Sequence, residues 1–119
     1  MKKIKTIALS ALLSSIFAPL ANADAVYTSA TPDHIFGGYP DHSITFNPVE
    51  GTVNPAGCAQ TGAYAMLPSY DTQAALLILL EAKREGKRVY FSVRDDICHT
   101  LQQTDDSSSY PVIQRIAIR

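Results

Sequence analysis

Seven apolar residues in a row, Ala74-Ala75-Leu76-Leu77-Ile78-Leu79-Leu80, sit inside a stretch, Thr72–Glu85, that holds neither Gly nor Pro. Ser69 or Asp71 can cap its start, because a short side-chain oxygen satisfies N–H groups that the first turn leaves unpaired. Lys83 and Arg84 fall at the negative end of the helix dipole, and Gly86 supplies a left-handed stop. The pattern predicts a helix of about four turns, ~21 Å long. A stripe of ~100° is enough to seat a helix on a sheet. Ala75, Ile78, Leu79 and Ala82 make that stripe, whereas Leu76, Leu77 and Leu80 fall partly outside it. Either the helix is unusually deep, or one side of Thr72–Glu85 meets another subunit in a homo-oligomer.

Everything around the helix is β-prone. Ala25–Thr31 carries Val26, Tyr27 and Thr28 and breaks at Pro32. Pro32–His42, with Gly37-Gly38 and two Pro-Asp-His triplets, reads as a turn between strands. Ser43–Val49 alternates Ile44 and Phe46 against Ser43, Thr45 and Asn47. Glu50–Gly57 reads as loop and Ala63–Leu67 as a short strand. After the helix, Lys87–Arg94 puts Val89, Phe91 and Val93 on one face and Arg88, Tyr90, Ser92 and Arg94 on the other. Asp95–Pro111 is polar and long enough to read as a functional or disordered loop. Val112–Ile118 closes the chain as a last strand.

The first residues are of another kind. Lys2, Lys3 and Lys5 precede an apolar run from Ile7 to Leu20, and Ala21-Asn22-Ala23 ends it with the small-x-small pattern of a signal-peptidase site. Met1–Ala23 is therefore expected to be a secretory signal, too short and wrongly flanked for a membrane anchor. The product is a single domain, Asp24–Arg119, without membrane insertion after cleavage. A Lys-rich leader of this style points to a Gram-negative bacterium and to the periplasm or beyond. The full chain has 10 Lys and Arg against 11 Asp and Glu, so losing the leader's three lysines leaves a mildly acidic product. Such a product, without a basic stripe, is a poor partner for nucleic acid.

Cys58 and Cys98 are the only two cysteines. In an oxidising compartment they have one intramolecular pairing, and a domain this small gains from a cross-link. Closing a loop of about 40 residues stabilises by roughly 4 kcal/mol in the chain-entropy model.

The element order is thus β-β-β-α-β-β. One helix between the third and fourth of five strands matches an OB-like barrel, a mostly β fold with one helix. A small α+β sheet carrying one helix, or a cystatin-like wrap with its helix moved late, are the competing plans. From Cys58 to Arg94 the chain resembles the OB-fold B subunits of AB5 toxins of the subtilase-cytotoxin and typhoid-toxin type. The resemblance consists of Cys58-Ala59 entering the third strand, Ser69 opening the helix, the exit Glu85-Gly86-Lys87-Arg88-Val89, and a second Cys downstream. It also extends to small uncharacterised secreted bacterial proteins of the same plan. This chain has no Trp and one cysteine pair, and no position matches the Ser-centred sialic-acid pocket of those subunits. The resemblance therefore implies an oligomeric binding module and assigns no binding residue.

Chemistry-bearing patterns are sparse. Pro32-Asp33-His34 recurs as Pro40-Asp41-His42, so His34 and His42 are the candidates for a metal site, against plain turn chemistry at two strand starts. A Ser–His–Asp set could be drawn from Ser107, His99 and Asp95, but no nucleophile elbow surrounds any serine. No catalytic residue and no cofactor is assigned. The expected function is a non-enzymatic binding module for a glycan or a protein. Tyr39, Tyr64 and Tyr110 are the candidate ligand-stacking residues, since a phenol offers an apolar face and a hydroxyl together. A periplasmic assembly factor and a small metal-binding protein are the alternatives.

Overall fold

The computed structural model describes residues 25–101 and 108–119. The predicted signal peptide, and Ser107 with the acidic pair before it, lie outside the described residues. The elements are β1 (Ala25–Ala30), β2 (Pro32–Phe36), β3 (Ile44–Pro48), β4 (Tyr64–Met66), α1 (Thr72–Glu85), β5 (Val89–Thr100) and β6 (Ser109–Ile118). The strands form one mixed sheet of six in the order β1-β5-β6-β4-β3-β2. All neighbours are antiparallel except β4 and β6, which run parallel through Ala65 and Val112. The protein is mostly β with one helix.

Two expectations need correction. The stretch Pro32–His42 is not all turn: its first half is β2, which makes six strands where five were expected. Proline suits this position because it opens an edge strand, where a missing N–H costs no ladder bond. Its pairing with Pro48 is followed by a register shift before His34. Nor is Asp95–Pro111 one long loop. Cys98, His99 and Thr100 pair with Pro111, Tyr110 and Ser109, so strand runs in from both ends. The acidic residues that suggested a loop, Asp95 and Asp96, sit in a bulge between Val93 and Cys98, where an extra run of chain is tolerated.

Packing follows the alternation of β5. Val89, Phe91 and Val93 point inward, and the rings of Phe46, Tyr64 and Phe91 meet with centroids 4.9–5.8 Å apart. The helix begins with Asp71 Oδ1 accepting from Ala74 N and ends at left-handed Gly86. It buries Ala75, Leu79 and Ala82, with Ile78 partly covered. The two alanines bring the helix backbone close to the sheet, and Leu79 fills the gap between them. Full burial of that leucine stabilises by roughly 1.5–3 kcal/mol. Leu77 and Leu80 stay outside, 69% and 49% exposed.

β1 and β2 lie at opposite ends of the strand order, yet a single residue, Thr31, separates them. Side chains hold the two ends together. Glu50, just past β3, accepts from Thr31 N at 2.9 Å and from Thr31 Oγ1 at 2.7 Å. Arg88, just before β5, donates to Ser29 O at 3.0 Å, Ser29 Oγ at 3.1 Å and Glu50 Oε2 at 2.8 Å. The Thr31 hydrogen bonds, with Arg88 nearby, keep the Glu50 carboxyl below its ordinary range despite partial burial.

Candidate functional site

In an antiparallel pair, residues in register share a face. Tyr27 pairs with Ser92 and Ser29 with Tyr90, so both tyrosines stand on the face of the sheet opposite Phe91 and Val93. Tyr27 is 81% exposed. The two rings line a groove of about 710 Å³, together with Gln114, Arg115 and Arg119. The Arg119 guanidinium carbon stands 4.2 Å from the centre of the Tyr90 ring. A cation over an aromatic face is worth about 0.5–1 kcal/mol at an exposed site, and it holds the guanidinium in place at the groove.

Arg115 arrives by a different route. Tyr90 pairs with Ala117 but Ser92 with Gln114, so β6 carries one extra residue at this point. Arg115 takes up that excess with φ 48, a left-handed backbone that a residue with a Cβ adopts only at some cost. Bulges of this kind re-aim a side chain, and here the exposed Arg115 lines the groove. Among the described residues no Asp or Glu lines it. The Arg119 guanidinium and two phenols therefore stand at this groove, and Arg115 lies between it and the hollow that Tyr70 and Asp71 line at the start of the helix.

No family model, no curated protein and no solved structure matches this chain. The case for a function rests on the residues themselves.

The tyrosines expected from the sequence fall in three different surroundings. Tyr64 is 1% exposed, wedged between Phe46 and Phe91, and its hydroxyl accepts from Val53 N at 2.7 Å. Burial pushes its phenol pKa up. It is a core residue, and no open ring face remains for a ligand. Tyr39 lies in the turn between β2 and β3, half-buried, its hydroxyl 3.3 Å from Thr45 Oγ1. Tyr110 is half-buried on β6, in register with His99. His34 pairs with its neighbour Asp33 at 3.4 Å, and His42 is exposed in the β2–β3 turn. Among the described residues no three of His, Cys, Asp and Glu converge as a metal site would require. His99 faces Asp41, with Nε2 3.0 Å from Oδ2, rather than the Asp95 of the imagined triad.

Cys58 and Cys98 are joined, with Cα atoms 5.7 Å apart. The bridge fastens the β3–β4 connection to the far end of β5. Asn54 supports it by accepting from Cys58 N and donating to Cys58 O, both at 2.8 Å. No helix among the described residues is long and apolar enough to cross a membrane.

The groove residues Tyr27, Tyr90, Arg115 and Arg119 are not the ones expected from the sequence. Tyr90 sits on the polar side of an alternating strand, which was the available signal. Arg115 had none, because its placement depends on a register slip between two strands.

Proposed function

We propose that the protein is an exported, non-enzymatic binding module of OB-like build, and that its Tyr27–Tyr90 groove takes a glycan carrying negative charge. The observation that carries the reading is the pairing of exposed Tyr27 and half-buried Tyr90 with Arg115 and Arg119 in a groove that no described Asp or Glu side chain lines. Sugar rings stack on phenol faces, and a guanidinium recognises a carboxylate or a sulfate in a planar, two-pronged fashion.

Support for the OB-like build is topological. If β1 and β2 count as one strand bent at Thr31, the order reads as five strands leading back to the first, with the helix between the third and fourth. The Glu50–Arg88 contacts then act as the seam. The likeness to toxin B subunits would be of the same kind: an oligomeric, glycan-binding subunit. Self-association through the exposed Leu77–Leu80 side of the helix belongs to this reading, as does export, with which the disulfide agrees.

A glycan array probed with the oxidised protein tests the proposal. Acidic glycans should be retained, and Tyr27→Ala and Arg119→Ala should each weaken retention about tenfold, the size of one lost contact of ~1.4 kcal/mol. Retention of neutral glycans alone, or binding indifferent to both variants, would refute it.

A further inference from the structure

The turn between β2 and β3 contains two adjacent glycines, and the fold requires only one of them. Gly38 has φ +89, where a side chain is strained. Gly37 lies outside that region, and a Cβ placed on it would meet nothing within 4 Å. Neither backbone conformation nor crowding asks for glycine at 37. Both glycines line a second groove of about 430 Å³, with Tyr39 and His42 on the turn side and Tyr70, Asp71 and Gln73 at the start of the helix.

We propose that this groove is a second saccharide site, selective for an uncharged pyranose ring. The inference rests on the reading of the protein as a glycan-binding module and adds a site of opposite charge preference. Bare backbone at Gly37 and Gly38 lets a ring lie directly against the chain, a use to which glycine is suited. Tyr39 and Tyr70 supply aromatic surface. Among the described residues no Lys or Arg lines the groove. Arg94, which donates to the Tyr70 hydroxyl at 3.2 Å, is engaged by Asp96 through two hydrogen bonds of 2.6 and 2.8 Å. Asp71 uses Oδ1 for the helix cap, and its carboxylate makes the groove unwelcoming to an anion while accepting well from sugar hydroxyls.

The turn wall is preformed. His42 N donates to Tyr39 O at 2.9 Å, and Asp41 accepts from Ser43 N at 3.0 Å and from Ser43 Oγ at 2.6 Å while holding His99. A ligand would therefore find Tyr39 and His42 already placed, with little ordering left to oppose binding.

Saturation-transfer NMR on the oxidised protein decides the matter, with glucose, galactose, N-acetylglucosamine, lactose and maltose as probes. At least one of these should receive saturation from the wild type. Gly37→Val, whose Cβ meets nothing within 4 Å, covers the bare backbone and should weaken that binding about tenfold or more. Gln73→Ala gives a second, smaller change on the opposite wall and should weaken it as well, whereas Arg119→Ala, in the Tyr27–Tyr90 groove, should leave it intact. A thermal melt of each variant confirms that the fold is unchanged. Absence of transfer to all five sugars overturns the proposal, as does binding that survives both Gly37→Val and Gln73→Ala. A neutral sugar lost in Arg119→Ala but kept in Gly37→Val would place it in the Tyr27–Tyr90 groove, overturning this second site and leaving the first reading standing. Retention of acidic glycans on the array, with no neutral sugar bound, would do the same.

Discussion

His99 Nε2 lies 3.0 Å from Asp41 Oδ2, a contact between groups 58 residues apart in the chain. The two side chains are only 15% and 10% exposed. The pair ties the β2–β3 turn to the far end of β5, beside the disulfide. Burial works against the Asp41 charge, but the Ser43 hydroxyl and N–H, together with His99, outweigh it and hold the carboxyl below its ordinary range. Asp41→Asn should therefore destabilise the protein by about 1–3 kcal/mol at neutral pH, the cost of weakening charged hydrogen bonds in a sheltered place.

The same carboxyl sets a pH dependence. A group whose pKa is depressed by folding contributes fully above its unfolded value, about 3.9 for Asp, and loses that contribution as pH falls through the folded value. The stability gap between wild type and Asp41→Asn should hold from neutral pH down to about pH 4 and narrow towards pH 2. Urea unfolding at the two ends of that range reads it directly. A gap of the same size at both ends would mean that the carboxylate charge plays no part.

The Thr31 crossing gives a local prediction. Glu50 and Arg88 are 37% and 44% exposed, so their ion pair alone is worth little. The Glu50 bonds to Thr31 matter more, because they satisfy a backbone N–H that no ladder reaches. Glu50→Ala should cost about 0.5–1.5 kcal/mol overall and should speed amide exchange at Thr31 far more than at Phe91. Uniform acceleration across both strands would show that Glu50 acts on global stability rather than on the crossing.

Local signals in the sequence carried the helix, its caps and its buried stripe, because each depends on residues within a few positions of one another. The alternation of β5 and the cysteine pairing were equally readable. What escaped was set by distant partners. Tyr64 was expected to be open to a ligand, yet Tyr64, Ala65 and Met66 of β4 are all buried. The strand lies between β3 and β6, and the β3–β4 connection returns over it to place Val53 N on the Tyr64 hydroxyl. β2 was hidden by Pro32 and by the Gly-Gly turn beyond it, since neither shows that Phe46 and Asn47 wait opposite as pairing partners. Arg115 was invisible for the same reason, and with it half of the cationic groove.

The Cys58–Cys98 bridge should be complete in protein made in an oxidising compartment. Mass measurement without reductant, after alkylation, should find no modified thiol. Cys58→Ser with Cys98→Ser should lower stability by about 2–4 kcal/mol, given a sequence separation of 40 between the two ends of the loop. Asn54 keeps its bonds to the backbone of residue 58, but that backbone is no longer tethered to β5, so exchange across the β3–β4 connection should quicken. A double variant as stable as wild type would assign the holding of that connection to its hydrogen bonds alone.

The helix carries the prediction on assembly. Ala75, Leu79 and Ala82 face the sheet, and Leu77 and Leu80 stand away from it on the same outer side. Each leucine that a neighbouring copy covers fully contributes roughly 1.5–3 kcal/mol, and closed symmetric arrangements are the usual state of soluble homo-oligomers. Wild-type protein should sediment well above the monomer mass at about micromolar concentration. Leu77→Glu or Leu80→Glu should return it to the monomer while leaving the unfolding midpoint extrapolated to low concentration unchanged, because neither side chain belongs to the core. Leu79→Ala is the contrast: it should destabilise by about 2–5 kcal/mol by opening a cavity between helix and sheet. A wild type that sediments as a monomer would end the assembly reading and leave Leu77 and Leu80 as solvent-facing leucines.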